Sequence, residues 1–231
     1  MIRGGLLLYL AVLSFSGAAE AGPWTREKGK GYTQAAVLAQ RIDGQTAVRG
    51  ELYGEYGVTS KWTLNGQLEG VTFTELDGFD QFAYRLTGRR QLWQQGIWKF
   101  AFEGGLVGGE AIGGTIGGCD TIGGEARLSF GGGGRTEKGR DWFAFIDGVI
   151  REHGNCRRQR IEAGYGREIV KNWFTTSKVF FEEGTDDARS VKVETVLSRR
   201  FGKTDLSLGY RQELGGRFQE SGIIFSLERR F

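Results

Sequence analysis

Residues 221–231 read SGIIFSLERRF. Ile223, Phe225, Leu227 and Phe231 are apolar, while Ser226, Glu228 and Arg230 between them are polar, with Ile224 the exception. Side chains on a strand alternate between its two faces, so this stretch makes a strand with one greasy face and one wet face. It ends on an aromatic residue, and the same alternation recurs from residue 31 onward.

Composition narrows what such strands build. The chain has 40 Gly, one Pro and 13% aromatic residues. A loop-rich soluble domain uses more Pro in its turns, whereas a closed sheet excludes Pro because every backbone N–H has to pair. The mean hydropathy of −0.35 does not argue for solubility here, because only alternate residues of a barrel strand touch lipid. A net charge of +3 is too small to imply a nucleic-acid partner.

Residues 1–21 have the layout of a secretory signal peptide: Arg3, an apolar run over 6–15, and the small-x-small site Ala19-Glu20-Ala21. The run is shorter than the roughly 20 residues of a spanning helix, and no Cys follows the site to take a lipid. Cleavage before Gly22 leaves a polar lead, 22–30, expected on the periplasmic side with Trp24 at the membrane interface. The barrel then takes up 31–231.

The alternation divides 31–231 into about twelve strands of about ten residues, the length a tilted spanning strand needs: 31–41, 47–57, 61–73, 81–93, 97–107, 124–131, 141–151, 158–166, 172–182, 189–201, 204–213 and 221–231. Ten or fourteen strands fit the same pattern with shifted boundaries. Turns are expected at 43–44, 58–60 and 94–96, and loops at 75–80, 108–123, 132–139 and 152–157. The seventh strand is mixed: Asp147 and Arg151 share a face with Phe143, Phe145 and Val149. Either apolar residues enter the interior there or a bulge shifts the register.

Trp62, Trp98, Trp142 and Trp173 open odd-numbered strands, and Tyr56, Phe130, Tyr165, Phe201 and Phe231 lie at or near the ends of even-numbered ones. All fall at one rim, as an aromatic girdle at a headgroup layer would. The opposite face carries Arg49, Glu51, Glu55, Glu69, Arg85, Arg89, Lys99, Glu103, Glu125, Arg127, Asp147, Arg160, Glu162, Lys178, Glu182, Lys192, Glu194, Arg211, Glu228 and Arg230, expected to line the lumen.

This pattern resembles the bacterial outer-membrane β-barrel proteins whose closing strand ends on Phe. The resemblance implies an all-β, single transmembrane antiparallel up-and-down barrel in a Gram-negative outer membrane. It also implies contact with membrane lipid and lipopolysaccharide, and a C-terminal strand read by the outer-membrane assembly machinery. A soluble lipocalin-like barrel, its apolar residues turned inward, is the arrangement that the girdle and the terminal Phe argue against.

Function divides along the lumen charges. They are either the wall of a porin-like pore, choosing solutes by electrostatics, or a ladder of cross-strand ion pairs bracing a structural barrel. Lys99 and Glu103, read opposite Glu125 and Arg127, favour pairing. Cys119 and Cys156 fall in successive outer loops of an exported chain, so a disulfide is expected. A metal site with His153 lacks a fourth ligand and close Cys spacing. His153 is the single histidine, in REHGNC. A hydrolase of the phospholipase or lipid A deacylase type would need it paired with a Ser on the lipid face, and Gly154 and Asn155 follow it instead. The Gly-rich runs GGTIGG and GGGGRTEKG lack the Lys-Ser/Thr of a phosphate loop. No cofactor or metal is expected, and nothing in the chain sets an oligomeric state.

Overall fold

A computed structural model describes residues 22–74, 80–109, 121–154, 156–185, 189–216 and 219–231. The signal-peptide assignment and Cys119 lie outside these. The described chain is one closed barrel of twelve antiparallel strands: β1 (Gly31–Ile42), β2 (Gln45–Thr59), β3 (Trp62–Phe73), β4 (Gln81–Gln95), β5 (Trp98–Gly109), β6 (Ile122–Arg135), β7 (Asp141–His153), β8 (Cys156–Val170), β9 (Trp173–Gly184), β10 (Ser190–Phe201), β11 (Thr204–Gly216) and β12 (Glu220–Arg230).

Each strand pairs with its neighbours in sequence, and β12 closes the ring on β1 from Tyr32 opposite Arg230 to Ile42 opposite Glu220. The seam extends past β12: the Gly31 and Phe231 backbones exchange both hydrogen bonds, at 2.9 and 3.1 Å. Gly31 also makes room for the closing aromatic, since a Cβ there would lie 2.2 Å from the Phe231 ring.

Tight turns return the chain at the rim where β1 begins and β12 ends, here called the terminal rim. Gly96, Asn172 and Gly202 take positive φ there, and bulges at Gly57/Thr59, Gln91/Trp93 and Glu168/Val170 adjust the strands entering these turns. At the opposite, loop rim, Asp43 and Gly44 both take positive φ, the geometry of a two-residue hairpin.

The alternation sorts side chains as the barrel demands. Leu52, Leu86, Leu106, Ile161, Leu208 and Phe225 are exposed on the outside, whereas Asn65, Arg89, Glu103, Arg127 and Asp147 are buried within. The core of this molecule is therefore ionic and its surface is apolar. Most strands run a few residues longer than expected, and three of the extensions reassign residues read as turn or loop. β6 continues to Arg135, shortening the connection placed at 132–139; Val58 and Thr59 belong to β2; and His153 and Cys156 close β7 and open β8, paired with one another, rather than sitting in a loop. All three sit where hairpin pairing continues beyond the apolar alternation. The mixed face of β7 is apolar intrusion. Its register with β6 and β8 runs unbroken along the described residues, and Phe145 and Val149 are buried on the inner side.

Leu208, half exposed on the outer wall, supplies a test of facing. Leu208→Arg is expected to cost about 2–4 kcal/mol if it lies near mid-bilayer. Denaturant unfolding of the barrel in lipid vesicles measures it, and a cost under about 1 kcal/mol would contradict the outward assignment.

Candidate functional site: the lumen and its N-terminal segment

The lumen is a set of ion-pair clusters whose reach depends on short residues between the charged ones. On β3, Thr63 and Asn65 face inward and stand in register with Arg89 on β4 and Glu55 on β2. Arg89 extends over them, bonding Glu55 at 3.0 Å and Glu103 on β5 at 2.8 Å. Tyr53 and Thr87 hydroxyls donate to the same two carboxylates, each at 2.6 Å. On β5, Gly105 and Val107 stand in register with Glu125 and Arg85, and Arg85 crosses to Glu125 at 3.0 Å. Arg151 and Arg127 also hold Glu125, and Arg127 reaches Asp147 at 3.3 Å.

The other wall repeats the scheme. Glu194 is held by Arg211 at 2.6 Å and Lys178 at 3.4 Å. Glu182 is approached by Arg158 and Arg160, the latter also near Glu162. Lys192 pairs with Glu220, Arg49 with Glu69, and Asp205 with Arg200 and Arg230. The Gln34 amide donates to Glu228 at 3.4 Å. Glu51 is half-buried and lines cavity space in this wall. Lys99 is half-buried but stands opposite Gly131, not Glu125 or Arg127; the cross-strand partner of Arg127 is Glu103.

Residues 22–26 are not at the membrane interface. They turn back through the terminal rim into the barrel, which corrects the expectation for Trp24. The Trp24 ring packs edge-on against Phe143 and Phe145, with centroids 5.8 and 6.2 Å away. Its carbonyl accepts from Arg89 at 2.9 Å. The Arg26 backbone N–H donates to Thr63 Oγ1 at 2.7 Å, and the Arg26 guanidinium pairs with Glu55. The two Phe rings lie over Gly166 and Gly164, their register partners on β8, where a Cβ would come within 2.3–2.4 Å of them. Two missing side chains thus make the shelf on which the segment rests. Sequence reading missed this contact, although the apolar pair on the polar face of β7 was its visible trace.

Above and beside this segment, empty space persists. One cavity of about 110 Å³ is lined by Arg49, Glu69, Arg85, Arg127, Arg160 and Glu182, among others. Another of about 60 Å³ touches Tyr32, Gln34, Lys178, Glu194, Arg211 and Ser226.

On the outer wall, Trp62, Trp98 and Phe231 are exposed and Trp142 and Trp173 half-exposed. Trp98 stacks on Phe130 at 5.4 Å, and Arg90 and Arg199 lie over Trp62 and Trp173. Trp93, exposed beyond the β4 bulge, joins this rim; the bulge hid its facing from the alternation. His153 is 4% exposed and points inward, away from the lipid face. No group of three His, Cys, Asp or Glu suited to a metal occurs among the described residues.

Removing Arg89 takes the bonded guanidinium from Glu103 and leaves Glu55 with Arg26 alone, so Arg89→Met is expected to cost about 3–5 kcal/mol, part of it recovered by adding Glu103→Gln. Denaturant titration of the single and double variants checks this; a single-variant cost below about 1 kcal/mol would mean the cluster is not a brace.

No family model matches the sequence, and no curated protein does. Solved structures do match. An outer membrane channel from Pseudomonas putida F1 is 12% identical, with a TM-score of 0.62 over 94% of this chain and 100% of that one. The KdgM porin is 8% identical, with a TM-score of 0.61 over 86% and 99%. LpxR from Salmonella typhimurium is 9% identical, with a TM-score of 0.55 over 86% and 99%. At these identities the likeness is one of fold, and together with an apolar exterior that lipid alone would cover, it makes the chain a bacterial outer-membrane β-barrel in architecture.

Proposed function

We propose that the protein is a narrow, non-enzymatic outer-membrane channel whose periplasmic half is closed by its own residues 22–26. The observation that carries this reading is a segment outside the barrel wall that occupies the lumen and is held there by Glu55, Arg89, Phe143 and Phe145. A barrel braced solid by its own wall has no use for such a segment. The cavities above it are lined by charges of both signs, which suits small hydrophilic solutes. Two of the matching folds belong to proteins described as a channel and a porin. The aromatic rim would sit at the periplasmic headgroup layer. Lipopolysaccharide would meet the loop rim, and the assembly machinery would read β12.

The hydrolase alternative draws no support from His153, whose inward, buried side chain is turned from the lipid a hydrolase of this kind attacks. Planar-bilayer recording tests the channel reading. The chain as processed is expected to show small or rare openings, and deletion of residues 22–26 to raise single-channel conductance several-fold. Silence from both would leave a purely structural barrel.

We also retain the Cys119–Cys156 disulfide as a proposal. Mass spectrometry of the unreduced, peptide-mapped protein is expected to find the two cysteines linked. Free thiols at both positions in protein taken from outer membranes would refute it.

A further inference from the structure

The inner end of the lumenal segment meets an incomplete charge site. The Gly22 backbone nitrogen donates to Asp147 Oδ2 at 3.0 Å. Asp147 is the central residue of β7 and 0% exposed. Its register partner on β8 is Glu162, 3% exposed, so two carboxylates face each other across the pair, an arrangement that repels and that Arg160, 3.6 Å from Glu162, offsets on the β8 side. The cation bonded to Asp147 is Arg127 at 3.3 Å, and Arg127 also serves Glu125 at 3.6 Å and stands opposite Glu103. Asp147 Oδ1 makes no close hydrogen bond among the described residues, the hydroxyl of Ser129, its register partner on β6, standing as the side-chain donor beside the carboxylate. A buried carboxylate oxygen without a close donor is costly, and a neutral amide at Gly22 offers one hydrogen and no charge.

The sequence places a small-x-small cleavage site directly before Gly22. We infer that the α-ammonium freed at Gly22 is an internal ligand of Asp147, so that removal of the leader completes the charge site and seats the segment that closes the lumen. In the cleavage step, water adds its hydroxyl to the Ala21 carbonyl carbon and a hydrogen to the Gly22 nitrogen as the amide bond breaks. The free amine takes up one further proton at neutral pH, below the usual α-amino range of about 7.7–8.0. The product carries three donors and a unit positive charge beside two facing carboxylates, where Asp147 shares its one bonded cation, Arg127, with Glu125. Two neighbours shape the seat for this particular N-terminus: Pro23 is fully buried, and a Cβ at Gly22 would lie 2.0 Å from the Trp24 ring.

The inference rests on the closed-channel reading for its consequence but not for its test. The native processed barrel, taken from outer membranes and confirmed folded by its gel mobility before heating, is treated with acetic anhydride at neutral pH. Peptide mass spectrometry then follows acetylation of Gly22. The folded wild type is expected to react at least about tenfold more slowly than the unfolded chain, as a group requiring local opening does. Asp147→Asn is expected to restore most of the unfolded rate. Should that variant not fold, Gly22→Ala, which crowds Trp24 rather than removing the acid, is expected to expose its terminus similarly. A mature chain that does not begin at Gly22, or a wild-type amine as reactive folded as unfolded, would overturn the inference. So would an Asp147→Asn amine that stays protected. Conductance serves separately: a protected amine in a barrel that stays silent after deletion of 22–26 would keep the ion pair and end the channel reading.

Discussion

The structure depends on one constraint: a sheet surrounded by lipid has no solvent to satisfy its backbone, so it has to end where it began. The pairing of β1 with β12 meets that constraint, and the bonds between Gly31 and Phe231 carry it to the terminal rim. Once the ring is closed, every strand has an inside and an outside, and alternation assigns each residue to one of them. The greasy positions face out. The inside receives the rest, which in this chain is mainly ionic, with apolar inserts such as Phe145, Val149 and Phe180.

An ionic interior survives only if its charges find partners, because desolvation makes each unpaired ion costly. Small residues on intervening strands enable the partnering. Thr63 and Asn65 let Arg89 span from β2 to β5, and Gly105 lets Arg85 reach β6. The clusters line the wall and leave cavity space between them. The remaining volume at the terminal rim is taken by residues 22–26, which contribute what the wall lacks there: a ring for the Phe143–Phe145 shelf and a guanidinium for Glu55. Bracing and conduction are therefore not exclusive, since a braced wall can still leave an occupied path.

The barrel was largely legible in the sequence because its signal is local. Alternation at Ile223, Phe225 and Leu227 needs no knowledge of distant residues, and strand limits fell within a few residues of those in β1, β3 and β10. Errors arose where hairpins kept pairing without apolar alternation, as in the glycines of β6, or where a bulge hid the facing of Trp93. The lumenal segment was not legible for a different reason. Trp24 near a barrel terminus has the composition of an interface residue, and its true partners lie more than a hundred residues away on β7. The clue lay in Phe143 and Phe145 on a face they share with Asp147 and Arg151, opposite Gly166 and Gly164, because an apolar pair set into an ionic wall calls for an apolar partner. Lys99 shows the limit of guessing ion pairs before register is known.

The central claim is the inverted barrel, with lipid outside and charge within. Nuclear magnetic resonance of the protein in nanodiscs doped with spin-labelled lipid measures it directly. Broadening of side-chain signals is expected to alternate along β11 and β12, strong at Leu206, Leu208, Phe225 and Leu227 and weak at Ser207, Ser226 and Glu228. Uniform broadening along these strands, or the opposite alternation, would contradict the account.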